Sequence, residues 1–155
     1  MGIWGPGNFD EDAAAEHVTI QTAPLLAQIA SSMGSVSTIT PDEYDSVALL
    51  ANLEMLACLS EGLGGARPVA LGLPTPSTVA KWRSSYLARW DETIDEMHPK
   101  AGFREARRRI IETTFDRVLR ASARENGGGA DQNGNARDDG PVTSMEGAPK
   151  RKRKR

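Results

Sequence analysis

Residues 41–61 read Pro-Asp-Glu-Tyr-Asp-Ser-Val-Ala-Leu-Leu-Ala-Asn-Leu-Glu-Met-Leu-Ala-Cys-Leu-Ser-Glu. Thr40 can cap a helix there, Pro41 suits its first turn, and Glu43, three residues after the cap, completes a capping box. Asp42, Glu43 and Asp45 lie where the helix dipole favours acids. From Val47 to Leu59 only Asn52 and Glu54 interrupt the apolar character. A helix that is apolar all round is a buried one, and this one is too short to span a bilayer. The stretch therefore predicts the central helix of an all-α bundle of four to five helices, ended by Gly62, Gly64 and Gly65. Cys58, the single cysteine, cannot form an internal disulfide and reads as a core residue.

Glu54 shares a helix face with Val47, Leu50, Ala51, Cys58 and Glu61. If buried, its carboxylate needs hydrogen-bond donors or a cation. Either it lies on an exposed strip with Glu61, or it accepts bonds from a structural partner, for which the chain offers a candidate at its other end.

That candidate is the opening, Met-Gly-Ile-Trp-Gly-Pro-Gly-Asn-Phe-Asp-Glu-Asp. Trp4 and Phe9 are apolar anchors in a loop made pliable by Gly2, Gly5 and Gly7 and stiffened by Pro6. Asp10 can cap the next helix, with Asp12 in its first turn. A glycine loop feeding a helix can cradle phosphate, but no strand precedes this one, no Gly-Lys-Ser/Thr closes it, and its acids repel anions. Asp10, Asp12, Glu16 and His17 are close in sequence without metal-ligand spacing, so no metal or cofactor is expected. The pattern Met1-Gly2-x-Trp4-Gly5-x-Gly7-x-Phe9-Asp10-x-Asp12-x-Ala14 resembles the start of a bacterial family of small uncharacterised proteins, a domain of unknown function. Ala51-Asn52-Leu53-Glu54-Met55-Leu56-Ala57 stands where that family has a small-residue helix with a glutamate. The resemblance implies a fold relationship and no activity. Together with the residues it suggests that the loop folds onto the central helix, with Glu54 accepting bonds from loop amides or the Trp4 indole.

Residues 12–33 read as a helix, kinked or restarted at Pro24 with Thr22 as cap, and residues 34–39 as a linker. Residues 62–76 form a long loop whose Val69, Leu71 and Leu73 should lie on the domain, a fair place for a partner. Residues 77–97 carry the stripe Val79, Trp82, Tyr86, Trp90, Ile94 and Met97, and His98-Pro99 ends that helix. Residues 102–125 form the last helix, with Phe103, Ala106, Ile110, Ile111, Phe115, Val118 and Leu119 on its apolar face.

Charge is uneven. Residues 1–66 hold nine Asp or Glu and no Lys or Arg, which suggests pairing with the basic second half within the fold. Residues 1–125 form the expected domain, with twelve Lys or Arg against seventeen acids, a net −5. Residues 126–155, rich in Gly, Asn, Asp and Pro, read as a disordered tail of net +3, with seven basic residues against four acids. The tail ends in Lys150, Arg151, Lys152, Arg153, Lys154 and Arg155, candidate contacts for a polyanion. No signal peptide or transmembrane run is evident, so a cytoplasmic place is expected. The chemistry read here favours a non-enzymatic protein that binds another protein, of the inhibitor or immunity kind. The alternative is a nucleic-acid-associated accessory protein using the basic tail and Arg104–Arg109. An enzyme would have to rely on Glu54 with Asp10 or Asp12.

Overall fold

In a computed structural model the described residues are 2–63 and 68–127, and they form an all-α fold. Four helices carry it: α1 (Asp12–Ser32), α2 (Tyr44–Gly62), α3 (Pro76–Thr93) and α4 (Phe103–Gly127). Short 3-10 turns lie at Ser37–Ile39 and Ile94–Met97. The basic run and the rest of the tail from residue 128 lie outside the described residues, as do residues 64–67.

α1 passes through Pro24 without a restart. A proline inside a helix removes one backbone donor, but packing compensates. Ile29 and Val18 are buried, and Leu25 and Leu26 pack on the core. Thr22 is no cap. Its hydroxyl lies 2.6 Å from the Leu71 carbonyl, tying α1 to the loop before α3.

α2 begins later than the capping box predicts. Glu43 occupies the N-cap position without a side-chain bond. The Thr40 hydroxyl instead accepts from Arg89, at 3.2 Å from Nε and 3.1 Å from Nη2, and Thr40 is extended. Leu49, Leu53, Leu56 and Ala57 are fully buried. Asn52 is buried and donates to Gln28 Oε1 at 2.8 Å, so this polar interruption bonds α2 to α1. The helix is not covered all round, however. Val47, Met55 and Cys58 are exposed.

α3 starts at a Thr75 cap with Pro76 in its first turn. Val79, Tyr86, Trp90 and Ile94 are buried as their spacing predicts, while Met97 is half exposed. His98 adopts a left-handed conformation, φ 50°, which closes the turn after Met97. Tyr86 packs on Phe115 of α4 with ring centroids 5.8 Å apart.

α4 buries Ile111, Phe115, Val118 and Ala121. Phe103, Ala106 and Ile110, assigned to the same face, are exposed instead. The stripe drifts around the helix, and in its first two turns α3 and the turn after it meet Arg104 and Arg108 instead of these three side chains. α4 also runs to Gly127, past the expected boundary at 125.

α2 packs on α1 and on α4, while α3 docks chiefly on α4. α2 is thus one of a central pair rather than the sole centre. Cross-helix bonds give the directions. Glu54 and Glu61 of α2 meet Thr114 and Arg117, and Val47 lies near Phe103, so α2 and α4 run parallel. Arg83 meets Asp116 while Asp91 meets Arg108, so α3 runs antiparallel to α4.

The loop before α3 is pinned as a strap. Leu71 and Leu73 are buried. The Glu125 carboxylate accepts the Leu71, Gly72 and Leu73 amides at 3.1, 2.8 and 3.0 Å. Ser122 donates to the Pro74 carbonyl at 2.6 Å.

The opening loop turns on Asp10. Trp4 N donates to Asp10 O at 2.7 Å, and Gly7 N to Asp10 Oδ2 at 3.0 Å. A Cβ on Gly5 would stand 2.5 Å from Asp10 Oδ2, and one on Gly7 2.8 Å from it. Gly5→Ala should therefore lower stability by about 1–3 kcal/mol through the displaced, buried carboxylate. Gly62→Ala, where a Cβ meets nothing within 4 Å, should be neutral or raise it by up to about 1 kcal/mol. Urea denaturation of the two variants compares them directly.

Candidate functional site

Of the residues singled out from sequence, the opening loop gathers Trp4, Gly5, Gly7, Asp10 and Asp12. Asp12 accepts the Gly2 amide at 2.6 Å. Asp10, rather than capping α1, turns its buried carboxylate back into the loop, and the N-cap position falls to Glu11. Phe9 packs on the core, whereas Trp4 is half-buried beside the loop's own backbone and is not among the core residues.

Glu54 belongs to a different assembly. Its carboxylate is held by α4: Arg117 Nη1 donates to Oε1, and Thr114 Oγ1 donates to Oε2 at 2.8 Å. The expected partner in the opening loop is replaced by a cation 63 residues away. Arg117 also forks onto Glu61, with Nε 2.9 Å from Oε1 and Nη2 2.8 Å from Oε2. Both readings of Glu54 are thus partly met, since it is half exposed beside Glu61 and also bonded to a structural partner. Cys58 is exposed within this cluster, with Sγ 3.5 Å from Arg117 Nη2, and is not a core residue. The Arg117 guanidinium, then the Thr114 hydroxyl, hold the Glu54 carboxyl below its ordinary range. Arg117 does the same for Glu61.

Among the described residues, the ion pairs that join the acidic and basic halves lie in this cluster. The other ion pairs among the described residues stay within the second half: Arg83 with Asp116 and Glu112, Arg89 with Glu92, Arg104 with Asp95, and Arg108 with Asp91 and Glu112. Arg108 holds the Asp91 carboxyl low. Arg104 and Arg108 are therefore engaged rather than displayed.

The feature that sequence reasoning missed lies at the opposite end of the bundle from the strap. The start of α2, the end of α3 and the start of α4 enclose an open apolar groove of about 270 Å³. Val47, Trp90, Met97 and Phe103 line it, with Tyr86 and Arg107 as its polar members. The Tyr86 hydroxyl lies 2.7 Å from Ser46 Oγ, and burial pushes its ionisation upward, opposed by that bond. Arg107 makes no ion pair among the described residues. Tyr44 on α2 and Ile110 on α4 are further exposed apolar side chains of the helices that line it. The signal was the excess of apolar positions at 103, 106 and 110 over what one helix face can bury, but deciding which face lies open needs three helices at once.

Among the described residues, no group of three or more His, Cys, Asp or Glu is placed to hold a metal ion, and no helix is long and apolar enough to cross a membrane. Compared with protein-family models, with curated proteins and with solved structures, the chain finds no match.

Two pH dependences follow. The Glu54 carboxyl is lower in the folded state than its ordinary 4.5. Its contribution is present above that value and lost as pH falls through the folded value. Glu54→Gln should cost up to about 1 kcal/mol near neutrality, since the pair is half exposed, and should flatten the acid limb of a plot of melting temperature against pH. Tyr86 is raised above 10.0, so the fold should lose stability as pH climbs past that value, and Tyr86→Phe should remove this alkaline slope. Thermal melts between pH 3 and 11 test both.

Proposed function

We propose that the protein is a non-enzymatic interaction module whose groove receives a segment of another protein. The observation that carries this reading is the groove itself. Val47, Met97 and Phe103 are each about half exposed around one concavity. Clustered exposed apolar side chains beside a concave surface mark interaction sites, and buried anchors of this kind carry most of an interface's energy. Arg107, in the groove wall and without an ion pair among the described residues, supplies a positive charge. The segment that fits presents apolar side chains and at least one carboxylate, as an amphipathic acidic helix does. A stoichiometric inhibitor or immunity-like factor is the finer form of this proposal, supported by small size and an acidic first half. Kinship with the bacterial family suggested by the opening is also a proposal. Its support is that Gly5, Gly7 and Asp10 form one steric unit. The tail-based alternative, nucleic-acid association through Lys150–Arg155, rests on residues outside those described.

Co-purification from the native host, followed by binding with the purified partner, tests the groove. Phe103→Glu and Val47→Glu should each weaken binding about tenfold or more and leave the melting temperature nearly unchanged. Ile20→Glu, an exposed apolar change on α1, should leave affinity intact. Full affinity in Phe103→Glu would remove the groove from the account. Recovery of nucleic acid, steeply salt-dependent and lost on deleting 150–155, would transfer function to the tail.

A further inference from the structure

The strap carries a second feature, at the opposite end of the bundle and independent of the groove. Leu71 and Leu73 are buried, and between them Gly72 sits at φ 73°. That conformation turns three successive N–H groups to one side. Successive amides so arranged form a concave nest with partial positive charge, suited to an anion. Both oxygens of the Glu125 carboxylate fill it: Oε2 on Leu71 N at 3.1 Å, and Oε1 on Gly72 N at 2.8 Å and Leu73 N at 3.0 Å. The positive φ favours glycine at 72, and a Cβ there would also crowd Thr19 Cγ2 at 3.3 Å.

Glu125 sits in the last turn of α4, where the helix dipole disfavours a carboxylate. Nothing local to the helix recommends an acid there, and the three strap amides do. The nest is braced on both sides without Glu125. Thr22 and Thr19 bond the Leu71 and Ala70 carbonyls, and Ser122 bonds the Pro74 carbonyl. The amides are thus held in place by groups other than the anion they bind, as a binding site requires.

We infer that the Leu71–Gly72–Leu73 amides are a carboxylate-binding site whose resident ligand is the chain's own Glu125. Half exposed, the site can accept a carboxylate supplied from outside once Glu125 is removed.

Glu125→Ala tests the site, with sodium acetate as the probe and sodium chloride at equal ionic strength as the control. In the full chain the substitution should lower the melting temperature by several degrees. It should speed hydrogen exchange at the 71–73 amides about tenfold or more, in keeping with loss of bonds to a charged acceptor. Acetate should restore protection at those amides in Glu125→Ala, chloride should not, and the wild type should respond to neither. Glu125→Gln, which keeps the shape and one neutral acceptor, should fall between and serves as the readout if the alanine variant fails to fold. Unchanged exchange at 71–73 in both variants, or equal effects of acetate on wild type and variant, would overturn the inference.

Discussion

Two helices that touch and point the same way cannot be joined directly. The chain must first travel back along their length, and this constraint organises the whole protein. α2 and α4 form such a parallel pair, clamped by Arg117 across Glu54 and Glu61. α3 is the return path, antiparallel to α4 and fastened to it by Arg83–Asp116 at one end and Arg108–Asp91 at the other. The strap turns the corner into α3, and α1 covers the side of α2 that α4 leaves free. The ends of the bundle differ as a result. At one, the strap is sutured by Glu125, Ser122 and Thr22. At the other, the segment before α2 is tied to α3 through Thr40 and Arg89, and the groove lies open beside it.

What could be read from sequence was what neighbours in sequence decide. Helix positions, the buried stripe Val79–Tyr86–Trp90–Ile94, the apolar strap and the break at His98-Pro99 all follow from spacing and local backbone preference. The misses have one cause, a partner far along the chain. Thr40 has the chemistry of a cap, but Arg89 claims its hydroxyl. Pro24 should break α1, yet the packed faces on either side carry the helix through. The pattern leaves Glu54 either on an exposed strip with Glu61 or bonded to a partner, and periodicity cannot distinguish Arg117 from the opening loop. Cys58 looked buried because its sequence neighbours are, while the helix turns it toward Arg117. Composition places Glu125 at the domain boundary, though an acid in a last helical turn is itself a signal that something other than the helix needs it.

The opening loop shows how a motif becomes intelligible once its sterics are known. Gly5 and Gly7 are not there for flexibility in general. Each faces the Asp10 carboxylate at a distance at which a methyl group would displace it. Asp10 in turn closes the loop from inside, through the Gly7 amide and, by its backbone, Trp4. The spacing Trp-Gly-x-Gly-x-x-Asp thus describes one folded object.

α4, at 25 residues, is also a ruler. At about 1.5 Å per residue it places the groove and the root of the tail some 37 Å apart, roughly the breadth of a small domain. The groove and the strap bonded to Glu125 are thus held apart by the rigidity of one helix. Changes made at the two ends of that rod, at Phe103 and at Glu125, share no partner and should add in their effect on stability.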